Sequence, residues 1–303
     1  MRQFSLIFIF MITAVQVSLA QQDAQVSLYL RNPLQINPAH AGLDGTLRTT
    51  SIARMQWTGW TGAPRTQWFS SHAPIFRNRM GIGLTVINDA SGARSQQDFK
   101  LNAAYHLPEL NYGIKVSAGM GLGLVSDSFD FQDLQVRHED DAIVPMPFQA
   151  VRPSASMGVL VSYDAWFTSL SIPRLFETNL GTVDPMGRKK RHGYWTMGYV
   201  HSLNAIMDIR AVTLVKWMSK SPAIMDMNVE CWLYDVLSVG AMVRWAEGMG
   251  FQASYRFKEG FRAHYAVDFP LNGLMNRSFG SHEIGLSWDY GTRNVAYRSP
   301  RYF

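Results

Sequence analysis

The sequence holds a single cysteine, Cys231, so no disulfide can form within the chain. Beyond the N-terminal stretch there is no run of about eighteen apolar residues, which excludes a helical membrane span. Charge is sparse and mixed. The 28 Lys and Arg against 23 Asp and Glu leave +5, and no dense basic stripe with interleaved aromatics marks a nucleic-acid surface. No two of the 8 histidines fall in a His-x-x-x-His pair, and no Gly-x-Ser-x-Gly elbow occurs, so the common zinc and serine-nucleophile signatures are missing. Gly119-x-Gly121-x-Gly123 lacks the strand-then-helix setting and the following Lys-Ser or Lys-Thr of a phosphate loop; glycine facing the inside of a strongly curved sheet explains it better. No enzyme, cofactor or metal site is expected.

What the chain does have is alternation. Met225, Met227, Val229, Cys231 and Leu233 point one way, and Asp226, Asn228 and Glu230 the other. Leu237 to Trp245, Phe261 to Phe269 and Ile284 to Tyr290 repeat the pattern. Segments of about ten residues with one apolar and one polar face are what a transmembrane β-barrel requires, whereas strands of soluble sandwiches run about five or six. Strands are expected near 48–57, 66–73, 80–88, 98–107, 112–128, 152–163, 165–172, 192–203, 206–217, 223–233, 237–245, 249–257, 260–269 and 281–290. The fold class is therefore all-β, a transmembrane outer-membrane β-barrel of about fourteen antiparallel strands. The connections 58–65, 89–97, 129–151, 173–191, 218–222, 246–248 and 270–280 then share one rim, and mostly tight turns the other. That is the expected asymmetry between external loops and periplasmic turns. Trp57, Trp60, Trp68, Trp166, Trp195, Trp217, Trp245 and Trp288 fall near strand ends, as interface girdles would place them.

The N-terminus supplies an address. Arg2, the apolar Leu6 to Val15 and the small Ser18-Leu19-Ala20 read as a secretory signal cleaved near Ala20. The organisation expected is a signal peptide over 1–20, a periplasmic N-terminal segment over 21–47, a barrel over 48–290 and a periplasmic tail over 291–303. The lead-in carries two Asn-Pro steps, Asn32-Pro33 and Asn37-Pro38, each of which fixes extended or turn geometry. Leu28, Tyr29, Leu30, Leu34 and Ile36 among its polar residues argue against a flexible leader; it either enters the barrel or docks on its rim. The run Arg188-Lys189-Lys190-Arg191 reads as a solvated basic loop.

Several motifs, in order, resemble the PorP/SprF family of outer-membrane proteins. They are Ser27-x-Tyr29-x-x-Asn32-Pro33, Asn37-Pro38-Ala39-x-Ala41-Gly42, Arg54-x-Gln56-Trp57, Gly62-Ala63-Pro64-x-Thr66-Gln67 and Gly81-Ile82-Gly83-Leu84 with Asn88-Asp89. Ser281-His282-Glu283-Ile284 and the closing Ser299-Pro300-Arg301-Tyr302-Phe303 complete the series. His40 departs from the family, which often has an aromatic or apolar residue there. The resemblance implies an accessory component of the type IX secretion system of Bacteroidetes, without enzymatic activity. Its implied partners are the periplasmic ring of that system and a secreted surface adhesin with a type IX C-terminal signal, including adhesins of gliding motility. Partner-binding residues are then expected at both ends: Asn32, Pro33, Asn37, Pro38 and Gly42, and Arg298, Pro300, Arg301, Tyr302 and Phe303. The alternative is a general diffusion porin, its lumen lined by Asp226, Glu230, Arg244, Arg262 and Asp268. Mixed signs on that lining would instead let the charges pair and fill the lumen.

Overall fold

Alternating patterns of this kind leave every strand with unpaired edges until a sheet closes on itself, and here it does. A computed structural model describes residues 25–130, 148–179, 188–189, 191–219, 221–258, 260–271 and 278–291. Fourteen antiparallel strands form one closed barrel in which each pairs with its sequence neighbours and the last returns to the first. They are β1 Leu47–Met55, β2 Arg65–Ile75, β3 Met80–Ser91, β4 Arg94–His106, β5 Lys115–Phe129, β6 Phe148–Tyr163 and β7 Trp166–Ile172. The second half comprises β8 His192–Asn204, β9 Met207–Met218, β10 Ser221–Leu233, β11 Leu237–Arg244, β12 Gly248–Lys258, β13 Phe261–Pro270 and β14 Ser281–Tyr290. Closure is carried by β1 against β14, from Leu47 opposite Tyr290 to Met55 opposite His282. All fourteen expected strands are present.

The rim where β1 begins and β14 ends is called the terminal rim. Its turns are short, over 76–79, 164–165, 205–206 and 234–236 and at Gly260, apart from the longer 107–114. At the opposite rim the connections made of described residues are 56–64, 92–93 and 245–247. Two expected loops shrink there. In the expected 218–222 loop Met218 already pairs with Ser221. The 89–97 region continues as hairpin, pairing Ala90 with Ser95 and Ser91 with Arg94, and turns only at Gly92-Ala93, where Gly92 has φ +56°. Polar side chains hid these pairs from a hydrophobic pattern, because ladder hydrogen bonds persist beyond the apolar band.

The two faces differ as the alternation requires. Met227, Val229, Val239, Phe251 and Leu286 are exposed on the outer wall, while Asp226, Asn228, Glu230, Ser238 and Gln252 are buried inside. Trp166, Trp195, Trp217, Trp245 and Trp288 also face outward. Trp68 does not belong to that girdle. It turns inward and is buried with Ile52, Phe167, Tyr194, Val212, Leu214, Met242 and Ala266. These apolar side chains on the nominally polar face would be out of place in a water-filled pore, and their partners are Val26, Leu28 and Tyr29 of the lead-in.

Candidate functional site: the filled lumen

Each Asn-Pro step of the lead-in starts a short 3-10 turn. Pro33 and Pro38 occupy first positions of the turns Pro33–Gln35 and Pro38–His40, where a missing N–H costs nothing and φ is already set. Asn37 caps the second one: its side chain accepts a hydrogen bond from the Ala39 N–H at 2.9 Å. With a further turn at Tyr29–Arg31, the segment becomes a coil compact enough to enter the barrel.

Of the two placements open to the lead-in, it takes the lumen. Gln25 lies near the rim opposite its expected periplasmic side, donating from Nε2 to Glu247 at 2.6 Å and accepting from Arg244 at 3.1 Å. Next, the Ser27 and Leu28 N–H groups each donate to the Glu283 carboxylate at 2.7 Å, and the Ser27 hydroxyl donates to Asp268 at 2.6 Å. Arg31 reaches Glu230 at 2.8 Å and Ser238 at 3.1 Å. Ser70 donates to the Asn32 side chain at 2.6 Å, and Asn37 donates to the Val159 carbonyl at 3.2 Å. Near the terminal rim Ser117 donates to the Ala39 carbonyl at 2.7 Å, His106 Nε2 lies 3.0 Å from the Ala41 carbonyl, and Gly42 N–H donates to His72 at 3.0 Å. Asp44 then pairs with Arg48 at 3.0 Å as the chain enters β1. The segment thus runs the length of the lumen, touching strands all around the wall.

The wall makes room for it with glycine. A Cβ at Gly81 would stand 1.8 Å from the Ala41 carbonyl oxygen, and one at Gly119 would stand 2.5 Å from the Ala39 nitrogen. The Gly119-x-Gly121-x-Gly123 pattern therefore marks in part where the plug backbone meets β5.

Charges in the lumen are paired. Asp226 holds Arg244 at 2.9 Å and Lys216 at 3.2 Å; Glu230 holds Arg210 at 2.5 Å besides Arg31. Arg54 bridges Asp268 at 2.6 Å and Glu283 at 2.5 Å. Among the residues of the expected pore lining, Arg262 is held most loosely, its nearest carboxylates lying at 3.7 and 3.9 Å. Buried pairs of this kind add little net stability, but removing one member leaves a charge without compensation in a low-dielectric space.

The expected N-terminal partner-binding residues Asn32, Pro33, Asn37, Pro38 and Gly42 are all buried in this plug. They share one structure, and what they touch is the barrel wall, so in this arrangement they offer no surface to another protein. Arg298, Pro300, Arg301, Tyr302 and Phe303, like the expected signal segment 1–20, lie outside the described residues. The residues that pattern reading missed are Arg31, Arg54 and Glu283, which hold the plug, and Arg210, which acts at one remove by pairing with the Glu230 that holds Arg31. A signal existed in Ile52, Trp68 and Leu214, apolar residues on strand faces expected to be polar.

Residues 18–288 match the family described as "Type IX secretion system membrane protein PorP/SprF". The chain belongs to that family. As a PorP/SprF member it is an outer-membrane component related to type IX secretion. No curated protein matches it. Among solved structures, the CymD monoaromatic hydrocarbon channel is similar with a TM-score of 0.54 at 9% identity, covering 89% of this chain and 94% of that one. The outer membrane protein Omp33 of Acinetobacter baumannii gives 0.50 at 8% identity, covering 82% and 100%. At such identities the likeness shows the barrel fold alone.

Proposed function

We propose that this PorP/SprF member is a plugged, non-enzymatic adaptor in the outer membrane, holding a secreted adhesin and the periplasmic ring of the type IX system to one another. The observation that carries the reading is the filled lumen: a barrel packed from Gln25 to Asp44 with its own chain has its rims and termini left for contact, not a bore for diffusion. A general porin is the weaker reading, because the charges expected to line its water path are largely paired with one another or with the plug. In this scheme the terminal rim faces the periplasm, the chain is processed near Ala20, and residues 298–303 reach toward the ring.

Pull-down from detergent extracts tests it. Recovery of ring components or of an adhesin with a type IX C-terminal signal is the expected result, and deletion of Arg298 to Phe303 is expected to reduce ring recovery while heat-modifiable barrel stays in the outer membrane. Recovery of the barrel alone, together with stable large openings in planar bilayers, would instead support the porin.

A further inference from the structure

Below Arg31, on the terminal-rim side of the plug, a cavity of about 30 Å³ is bounded by Arg31, Arg48, Arg210, Arg262, Trp232 and His264, together with Leu30 and Ser287. Four guanidinium groups around one small space repel each other unless anions intervene. Three of the four have close carboxylates. Arg31 and Arg210 share Glu230, and Arg48 is held by Asp289 at 2.6 Å and by Asp44 at 3.0 Å. Arg262 is different. Its nearest carboxylates are Asp235 at 3.7 Å and Asp289 at 3.9 Å, both engaged by Arg256 and Arg48 respectively, and it makes no hydrogen bond among the described residues. Yet its side chain is only 10% exposed.

The surroundings do not supply what it lacks. The His264 ring nitrogens lie 2.8 Å from the Ser254 hydroxyl and 2.9 Å from that of Ser287. The Trp232 ring receives the Arg31, Arg210 and Arg262 guanidinium groups at 4.9, 5.8 and 5.8 Å, which offers each a π-face but no acceptor. A largely buried guanidinium whose carboxylates stand beyond hydrogen-bond distance keeps its five N–H donors under-used, and an incoming oxyanion would engage them in a bidentate, charge-assisted pair.

We propose that this cavity is a binding site for a single carboxylate group, received by Arg262 with the fields of Arg31, Arg48 and Arg210 behind it. A carboxylate suits the space, since about 30 Å³ holds two or three water-sized groups at about 10–15 Å³ each. Arg262 is the second residue of β13, two positions after Gly260, so the site lies near the terminal rim. The carboxylate comes either from a free small acid or from an acidic residue of a chain reaching in at that rim. The site does not depend on the adaptor role.

Saturation-transfer NMR on the full-length barrel in detergent tests the site, at constant ionic strength set with potassium chloride. The probes are acetate and a short capped peptide with a single Asp. Saturable transfer to the acetate methyl is expected in the native protein and at least a tenfold loss in Arg262→Gln, a change that breaks no hydrogen bond. Arg94→Gln, near the other rim, should keep the signal. Heat-modifiable mobility on gels verifies that both variants are folded. Tighter binding of the peptide than of acetate assigns the site to a chain-borne carboxylate, and equal binding to a free acid. No saturable transfer from either probe in the native protein, or the same transfer in Arg262→Gln, overturns the proposal.

Discussion

Gln25 donates to Glu247 across 2.6 Å, a contact between the first described residue of the lead-in and the connection from β11 to β12 on the far rim. This pair fixes the direction of the plug: it enters at the far rim and descends to β1, so the lead-in ends where the barrel begins. Cysteines at both positions, in a Cys231→Ser background, should therefore be joined by a short thiol-reactive cross-linker in intact membranes. A pair placed at Gln25 and Asp289, near the two ends of the lumen, should not. Gel mobility without reductant reads the result, and cross-linking of the second pair in place of the first would reverse the direction.

Glu283 is the chief anchor of the upper plug. Its two oxygens take the Ser27 and Leu28 N–H groups, and one also takes Arg54. Glu283→Ala would leave Arg54 and two backbone donors under-satisfied in a buried place, a loss of about 3–5 kcal/mol. The barrel wall keeps its ladder, so the plug loosens first. The expected outcome is new conductance in planar bilayers and faster proteolysis near Ser27, with Glu283→Gln intermediate. Unchanged conductance with unchanged proteolysis would place the anchor elsewhere.

Gly119 tests the fit between plug and wall from the other side. A valine there would push into Ala39 and the Pro38 carbonyl, which are backbone atoms and cannot rotate away. The outer face of β5 is untouched, so insertion and heat-modifiable mobility should survive Gly119→Val. The plug should be displaced near Pro38–His40, and the variant is expected to conduct more than the native protein. A native-like, non-conducting variant would mean that the plug has slack at this position.

The barrel was legible because lipid imposes a period of two on every strand, and turn residues punctuate it. Val229 and Asn228 are assigned to opposite faces by that rule alone, and they are 53% and 1% exposed. The plug was only half legible. Its 3-10 turns have no period to detect, and its partners lie up to 256 residues away, as Ser27 does from Glu283. Leu28, Tyr29 and Leu34 announced that the lead-in would be buried, and the sequence left open whether in the barrel or on its rim. The site around Arg262 was visible as a lumen charge, but its lack of a close carboxylate depends on which strands become neighbours, and pattern alone does not contain that.

Val229 gives the last test, of the outer wall. It sits opposite Ala211 on β9 and Ala241 on β11 and is exposed on the outer face of β10. An arginine there meets hydrocarbon at a cost of roughly 2–4 kcal/mol near the bilayer midplane. Val229→Leu costs little, since it only enlarges a lipid-facing side chain. Asn228 cannot serve as the tolerant inward comparison that an open lumen would provide. It is buried and accepts a hydrogen bond from Gln252 at 2.9 Å, so Asn228→Arg must force a cation into packed space beside Met242. The expected order of assembled, heat-modifiable protein in outer-membrane fractions is Val229→Leu equal to the native chain, with both arginine variants well below it. A fully assembled Asn228→Arg protein would show that water, not the plug, fills this part of the lumen.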